Sequence, residues 1–369
     1  LPKALSARPL AASRRATSTW TAAHVAGITT APLPVLPRID AAGVRRTPGL
    51  DLWDFWPVTD ARGRVADIAG GELWFALSAP ASGEPVLRHG RARLRLLYKS
   101  GGAWRDLGPA LPDGWSPGSR EWSGSAVVEG ADVALYFTAA GRRGVPPPGY
   151  EQRLFEARGT LAPDGRIAHW RDLRELVASD GIDYVVADQV EGIVGTIKAF
   201  RDPGWFRDPA TGTGWMLFAG SLARSASAFN GAVGLAEQTE AGWCLRPPLL
   251  HADGLNNELE RPHVVVRGGL YYLFWSTQAS VFAPGHAAPT GLYGMVADRL
   301  AGPYAPLNGT GLVAANPAAA PAQAYSWLVL DDLRVTSFVD QMGPGRAGFG
   351  GTPAPEFRLG LEGARAWIA

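Results

Sequence analysis

The chain has 369 residues, 35 basic and 34 acidic groups for a formal net charge of +1, and 46% hydrophobic residues. The balanced charge leaves no basic footprint for nucleic acid, and no apolar run approaches the ~18 residues of a membrane span, so neither is an expected partner. Cys244 stands alone and the six histidines lack ligand spacing, which excludes an internal disulfide and leaves no expected metal or cofactor.

Residues 1–18 lack apolar periodicity and read as a flexible leader, with the ordered body starting near Trp20 and running as a single unit over 19–369. The first 39 residues carry no acidic group and the chain starts at Leu1, from which export, secreted or periplasmic, is the expectation. Gly at 46 and Pro at 30 punctuate short aromatic or β-branched runs, so the predicted class is all-β. In chain order the runs are GGELWFALSA (70–79), ARLRLLYKS (92–100), ADVALYFTAA (131–140), GTGWMLFAGS (212–221) and RGGLYYLFWST (267–277). A turn followed by an aromatic strand, repeated, is what β-propeller blades produce. The irregular period leaves a sandwich or jelly roll open on the strands alone. Of the fourteen Trp, most are expected in the core, with some left to stack on sugar rings.

Four segments set carboxylates among aromatics: LDLWDFWPVTD around Asp54, SREWSGSA around Trp122, AFRDPGW around Asp202, and NNELERPHVVV around Glu258 and Glu260. Burying Asp54 between Trp53 and Phe55 is costly unless the acid has a role; otherwise the strand lies at an edge with Asp54 facing water. Glycoside cleavage needs a carboxylate at the anomeric carbon and a second acid for the leaving oxygen, about 5–5.5 Å apart in retaining enzymes. Glu258 and Glu260 share one face of a strand by the period of two, so the nucleophile must come from another strand. The bland alternatives are turn caps at Asp51 and Asp54, a simple turn at RDP, and solvated glutamates paired with Arg261.

Taken in order, the segments resemble glycoside hydrolase family 68, the levansucrases, inulosucrases and related β-fructofuranosidases. The resemblance rests on Trp53-Asp54-Phe55-Trp56-Pro57, Glu121 to Ser125, Arg201-Asp202-Pro203 and Glu258-Leu259-Glu260-Arg261. FNGAVGLA (229–236), the YLF run (272–274), AYSW (324–327), VTSFVD (335–340) and FGGTPAP (349–355) extend it from about residue 20 to the C-terminus. It implies a five-bladed β-propeller with a central funnel-shaped site acting on sucrose and fructose-containing oligosaccharides. By the same resemblance Asp54 is the nucleophile, Glu260 the acid/base and Asp202 the stabiliser of the oxocarbenium-like transition state. Ser123 orients Asp54, Trp53 and Trp122 wall the fructosyl pocket, and Arg201, Glu258 and Tyr325 contact the leaving glucose or the acceptor. Two departures stand out. Gln278 presents a neutral amide where relatives often carry Arg or His, from which short products or hydrolysis rather than long levan are expected. Asn256-Asn257 precede Glu258 where an acid is frequent, which argues against structural calcium.

Overall fold

The structure, a computed structural model, describes residues 17–29, 33–146, 149–188 and 197–369. A short N-terminal strand, β1 (Ser18–Thr19), is followed by five antiparallel meanders in four sheets, the first two meanders being joined into one eight-stranded sheet by a parallel pairing of residues 58–60 with 126–128. The first comprises β2 (Leu50–Asp60), β3 (Glu72–Pro80), β4 (Arg93–Ser100) and β5 (Ala103–Pro109); the second, β6 (Arg120–Glu129), β7 (Asp132–Ala140), β8 (Gln152–Leu161) and β9 (Ile167–Glu175). The third holds β10 (Phe200–Arg207), β11 (Gly214–Ser221), β12 (Gly231–Thr239) and β13 (Gly242–His251). The fourth is β14 (Glu260–Arg267), β15 (Leu270–Thr277), β16 (Gly291–Ala297), β17 (Ala305–Pro306) and β18 (Leu312–Ala315), and the fifth β19 (Ala324–Val329), β20 (Arg334–Gln341), β21 (Phe349–Pro353), β22 (Phe357–Glu362) and β23 (Arg365–Ile368). The all-β class is thus observed, and no helix among the described residues is long and apolar enough to cross a membrane.

Four of the aromatic runs picked out by sequence are β3, β7, β11 and β15, the second strand of each of the first four meanders. They are buried along almost their whole length. A strand covered on both faces reads as a continuous apolar run rather than an alternation, and truncating a ring such as Phe75 or Phe218 there costs about 3–5 kcal/mol. Neighbouring meanders share core: Trp56, Phe75, Phe137 and Phe338 belong to one cluster, and Tyr136, Phe200 and Phe218 to another.

The N-terminal segment is tied in earlier than the expected boundary. Ser18 is buried and pairs in parallel with Leu250, so residue 18 belongs to the ordered body; residues 1–16 lie outside the described residues. Trp20 then packs edge-on against Trp275 and Phe282 and donates its Nε1–H to the Thr310 carbonyl at 2.9 Å. The fifth meander meets the first: Arg334 donates to Glu72 at 2.8 Å and Lys99 to Glu356 at 2.5 Å.

One irregularity recurs. The first strand of every meander carries a β-bulge, between Trp53 and Trp56, Trp122 and Gly124, Arg201 and Gly204, Glu260 and His263, and Tyr325 and Leu328. In four of these the backbone turns left-handed, at Asp54 (φ 50°), Asp202 (61°), Arg261 (50°) and Ser326 (62°). In the remaining one the bulge closes on Gly124, where a Cβ would stand 1.8 Å from the Tyr136 carbonyl oxygen. A bulge sets two residues against one on the partner strand and breaks the alternation of faces.

Candidate active site

The five bulges deliver five dipeptides: Trp53-Asp54, Trp122-Ser123, Arg201-Asp202, Glu260-Arg261 and Tyr325-Ser326. All of them line one cavity of about 310 Å³. All ten residues proposed from sequence (Trp53, Asp54, Trp122, Ser123, Arg201, Asp202, Glu258, Glu260, Gln278 and Tyr325) face this cavity. Asp54 is half-buried rather than at a solvated edge, and Ser123 Oγ donates to its Oδ2 at 2.5 Å, which leaves Oδ1 without a hydrogen bond among the described residues.

Arg201, buried, organises the acids. Its Nη2 donates to Glu260 Oε1 at 2.9 Å and lies 3.4 Å from Glu258 Oε1, while Nε is 3.9 Å from Asp202 Oδ2. Burial works against the guanidinium's charge, but Glu258, Glu260 and Asp202 outweigh it and hold the group protonated beyond its ordinary range. The second oxygen of Glu260 accepts from the Tyr325 hydroxyl. Burial, with Glu260 and Glu258 nearby, raises Tyr325 far above the usual phenol range, so it serves as a donor.

Asp202 accepts the Arg261 backbone N–H at Oδ2 across 3.2 Å, and its own N–H donates to Thr138 Oγ1 at 2.9 Å. Burial pushes its carboxyl up to about 7, Glu260 and Asp54 adding to the rise and Arg201 and Arg261 opposing it. Glu258 is also pushed up to about 7, first by burial and then by Glu260 and Asp202. Five carboxylates (Asp54, Asp202, Glu258, Glu260 and Asp340) thus line one small cavity with three guanidinium groups, Arg88, Arg201 and Arg261. An excess of negative charge with a retained proton suits a reaction that develops positive charge and protonates a leaving group.

Three readings are corrected. Glu258 does not share a strand face with Glu260: β14 begins at Glu260, and Glu258 sits in the preceding turn, its N–H donating to Asn256 Oδ1 at 2.8 Å. The two acids meet through Arg201 instead. Nor do the glutamates pair with Arg261, which points away to Ser326 (carbonyl and Oγ, both 2.8 Å) and the Phe55 carbonyl (2.7 Å). Asp51, read as a turn cap, is buried and held by both arms of Arg346.

Sequence reasoning missed the segment 85–91, whose Arg88 and His89 line the cavity, and gave no role to Asp340 at the end of the VTSFVD run. His89 packs edge-on to Trp53 at 5.8 Å, and burial with Arg88 and Arg201 nearby pushes it well below the usual imidazole range. The signal available was an Arg-His pair flanked by Gly90, which carries no motif of its own. A larger cavity of about 610 Å³ shares Asp202 and Arg261 with the first but contains none of Asp54, Glu258 and Glu260.

Strands that gather acids and a buried arginine around one sugar-sized cavity define a carboxylate-dependent glycosidase-type enzyme. Comparison with known proteins agrees. The Levansucrase/Invertase family model matches residues 10–230 and 223–369. The levansucrase of Zymomonas mobilis is 33% identical over 391 residues, covering 95% of this chain and 90% of that one. The inulosucrase of Halalkalicoccus jeotgali, solved bound to kestose, superposes with a TM-score of 0.88 at 38% identity, covering 96% of this chain and 95% of the other. The β-fructofuranosidase catalytic domain of Microbacterium saccharophilum shares the fold, at TM-score 0.84 and 24% identity over 98% and 92% of the two chains. The chain belongs to the Levansucrase/Invertase family and is a glycoside hydrolase-type fructosyltransferase.

Proposed function

We propose that this chain is one five-bladed β-propeller that cleaves sucrose with retention, releasing glucose and passing fructose to a sugar hydroxyl or to water. Five meanders with equivalent bulges, and the contact of the fifth with the first, support the propeller. The observation that carries the function is the holding of two acids in one cavity by separate partners: Asp54 by Ser123, and Glu260 by Arg201 and Tyr325.

In the first step Asp54 Oδ1 attacks the fructosyl anomeric carbon as the bond to the glucosyl oxygen breaks, and Glu260 gives that oxygen its proton. Asp202 lies against the ring as positive charge develops and is lost again. In the second step Glu260, now a carboxylate, takes the proton of an incoming hydroxyl whose oxygen displaces Asp54 from the anomeric carbon. Arg201 and Glu258 hold the glucosyl or acceptor side. Gln278, which lines the same cavity, offers a neutral amide, and we take it to favour short products over long polymer.

Incubation of wild type and Asp54→Asn with sucrose, following glucose, fructose and oligosaccharides separately, tests the reading. Glucose in excess of fructose, absent in the variant, is expected; no glucose from wild type overturns it. Abundant high-mass polymer would instead refute the short-product part.

A further inference from the structure

One charged pair in the cavity has no work in this mechanism. Arg88 is 8% exposed, and its guanidinium is boxed by Phe349 at 4.5 Å, Trp53 at 5.4 Å and Phe338 at 5.8 Å. Of its five N–H donors, one reaches an acceptor among the described residues: Nη1 donates to the Pro85 carbonyl at 2.9 Å. Nε is buried without a partner. Asp340, at the end of β20, stands 3.7 Å from Nη2, too far for a hydrogen bond. A buried guanidinium is expensive to hold unless its donors are used, so this one is kept for an acceptor that enters the cavity.

The gap has a size. A hydroxyl oxygen about 2.8 Å from each group, the ordinary hydrogen-bond distance, closes a triangle on the 3.7 Å base with no movement of either side chain. Nη2–H then donates to the hydroxyl's lone pair, and the hydroxyl's proton goes to Asp340. Donor and acceptor around a single oxygen is the pattern that recognises an alcohol rather than an anion. Position fixes which sugar is meant. The charge of Asp54 acts on both Arg88 and Asp340, and Trp53, the neighbour of Asp54, stacks against Arg88. Arg201, Glu258 and Glu260 gather elsewhere, around one another.

We propose that Arg88 and Asp340 form a hydroxyl clamp in the fructosyl subsite, reading one hydroxyl of the fructosyl ring as it lies against Asp54. The proposal rests on the reading of Asp54 as the nucleophile toward fructose. It makes this pair a specificity determinant: a donor sugar lacking that hydroxyl leaves a buried guanidinium and a half-buried carboxylate unpaired, a heavier penalty than a lost surface contact.

The test measures kcat/KM for sucrose and its four mono-deoxy analogues on the fructosyl side (1′, 3′, 4′ and 6′) with wild type, Asp340→Asn and Arg88→Met. One analogue is expected to fall about tenfold or more below sucrose on wild type. That ratio should shrink to within about threefold in both variants while the other three ratios stay put, the signature of direct coupling. Should Arg88→Met fail to fold, the isosteric Asp340→Asn carries the result. Should turnover be too slow, the same ratios are read as Kd in the Asp54→Asn background. Unchanged ratios for all four analogues, whatever the absolute loss, overturn the clamp and leave the fructosyl mechanism standing. A wild type that does not cleave sucrose removes both together.

Discussion

The backbone N–H of Arg261 donates to Asp202 Oδ2 at 3.2 Å, while the Arg261 guanidinium reaches Ser326 on the fifth meander and Phe55 on the first. A single left-handed residue thereby ties three first strands together beneath the proposed transition-state stabiliser. His263 holds Arg261 from behind: its ring Nδ1 bonds the Arg261 carbonyl at 2.8 Å, and its Nε2 accepts the Val329 N–H at 2.9 Å. Since Nε2 must be bare to accept, Nδ1 carries the proton and the ring is neutral.

That geometry sets an acid limit. Burial pushes His263 down to about 4 from an ordinary 6.5, so the unfolded chain binds a proton that the folded one refuses between these values. Stability from this group is complete above about 6.5 and is lost as pH falls towards 4, by up to about 3 kcal/mol. Thermal melts of wild type and His263→Gln between pH 7 and 4 should show a smaller acid loss in the variant; parallel curves would remove His263 from the account.

Asp202 works in the opposite sense. With its folded carboxyl raised to about 7 from an ordinary 3.8, the folded chain keeps a proton that the unfolded one gives up between these values, so stability from this group is complete below about 3.8 and is lost as pH rises to about 7. Asp202→Asn should therefore raise Tm at pH 8 by roughly 2–6 °C, since the amide oxygen can still accept from Arg261, while kcat falls by several orders of magnitude. A lower Tm at pH 8 would show that the carboxylate supports the fold.

Ser123→Ala removes the 2.5 Å bond to Asp54 without touching the remaining wall. A hydrogen bond to a charged group is worth about 1.5–3 kcal/mol, so kcat on sucrose should drop about 10- to 100-fold with KM changed little. A purely higher KM would assign Ser123 to substrate binding instead.

Arg201→Met leaves Glu258, Glu260 and Asp202 facing one another without their shared cation. Breaking a buried pair costs about 3–5 kcal/mol. Steady-state kinetics should show kcat/KM down by at least about 100-fold, and the melt a clear destabilisation; near-normal values in both would contradict the central place of Arg201.

Gln278→Arg puts a cation in the cavity lining in place of the neutral amide. Chromatography of products from sucrose should show longer oligosaccharides than wild type makes. Identical size distributions would mean that chain length is set elsewhere.

Most of the cavity residues were legible because they sit in short local patterns: an acid, an arginine or a serine at the bulge of a first strand, most of them followed by an apolar second strand. The roles of Arg88 and Asp340 were not, since Arg88 lies in no motif and the VTSFVD run that ends at Asp340 assigns that acid no chemistry. Their proximity is made by β20 packing over the segment 85–91, about 250 positions apart in sequence. The strand pattern alone, without the family resemblance, did not give the number of meanders, for a related reason. The connections between successive meanders and inside them vary widely in length, so no constant period survives.

By itself the sequence determined the class of structure, the positions of its buried second strands and the residues with chemistry to offer, because side-chain type and turn propensity act over a few neighbours. Only the tertiary structure decided how those residues meet. Alternation of faces assigns Glu258 and Glu260 to one side of a strand, yet Glu258 lies before β14, and the bulges turn successive residues such as Trp53 and Asp54 into the same cavity. A left-handed backbone at Asp54, Asp202, Arg261 and Ser326 is unfavourable locally. It persists because hydrogen bonds from other meanders, such as Ser123 to Asp54 and Arg261 to Phe55, hold it there, and those bonds exist only once distant strands have packed.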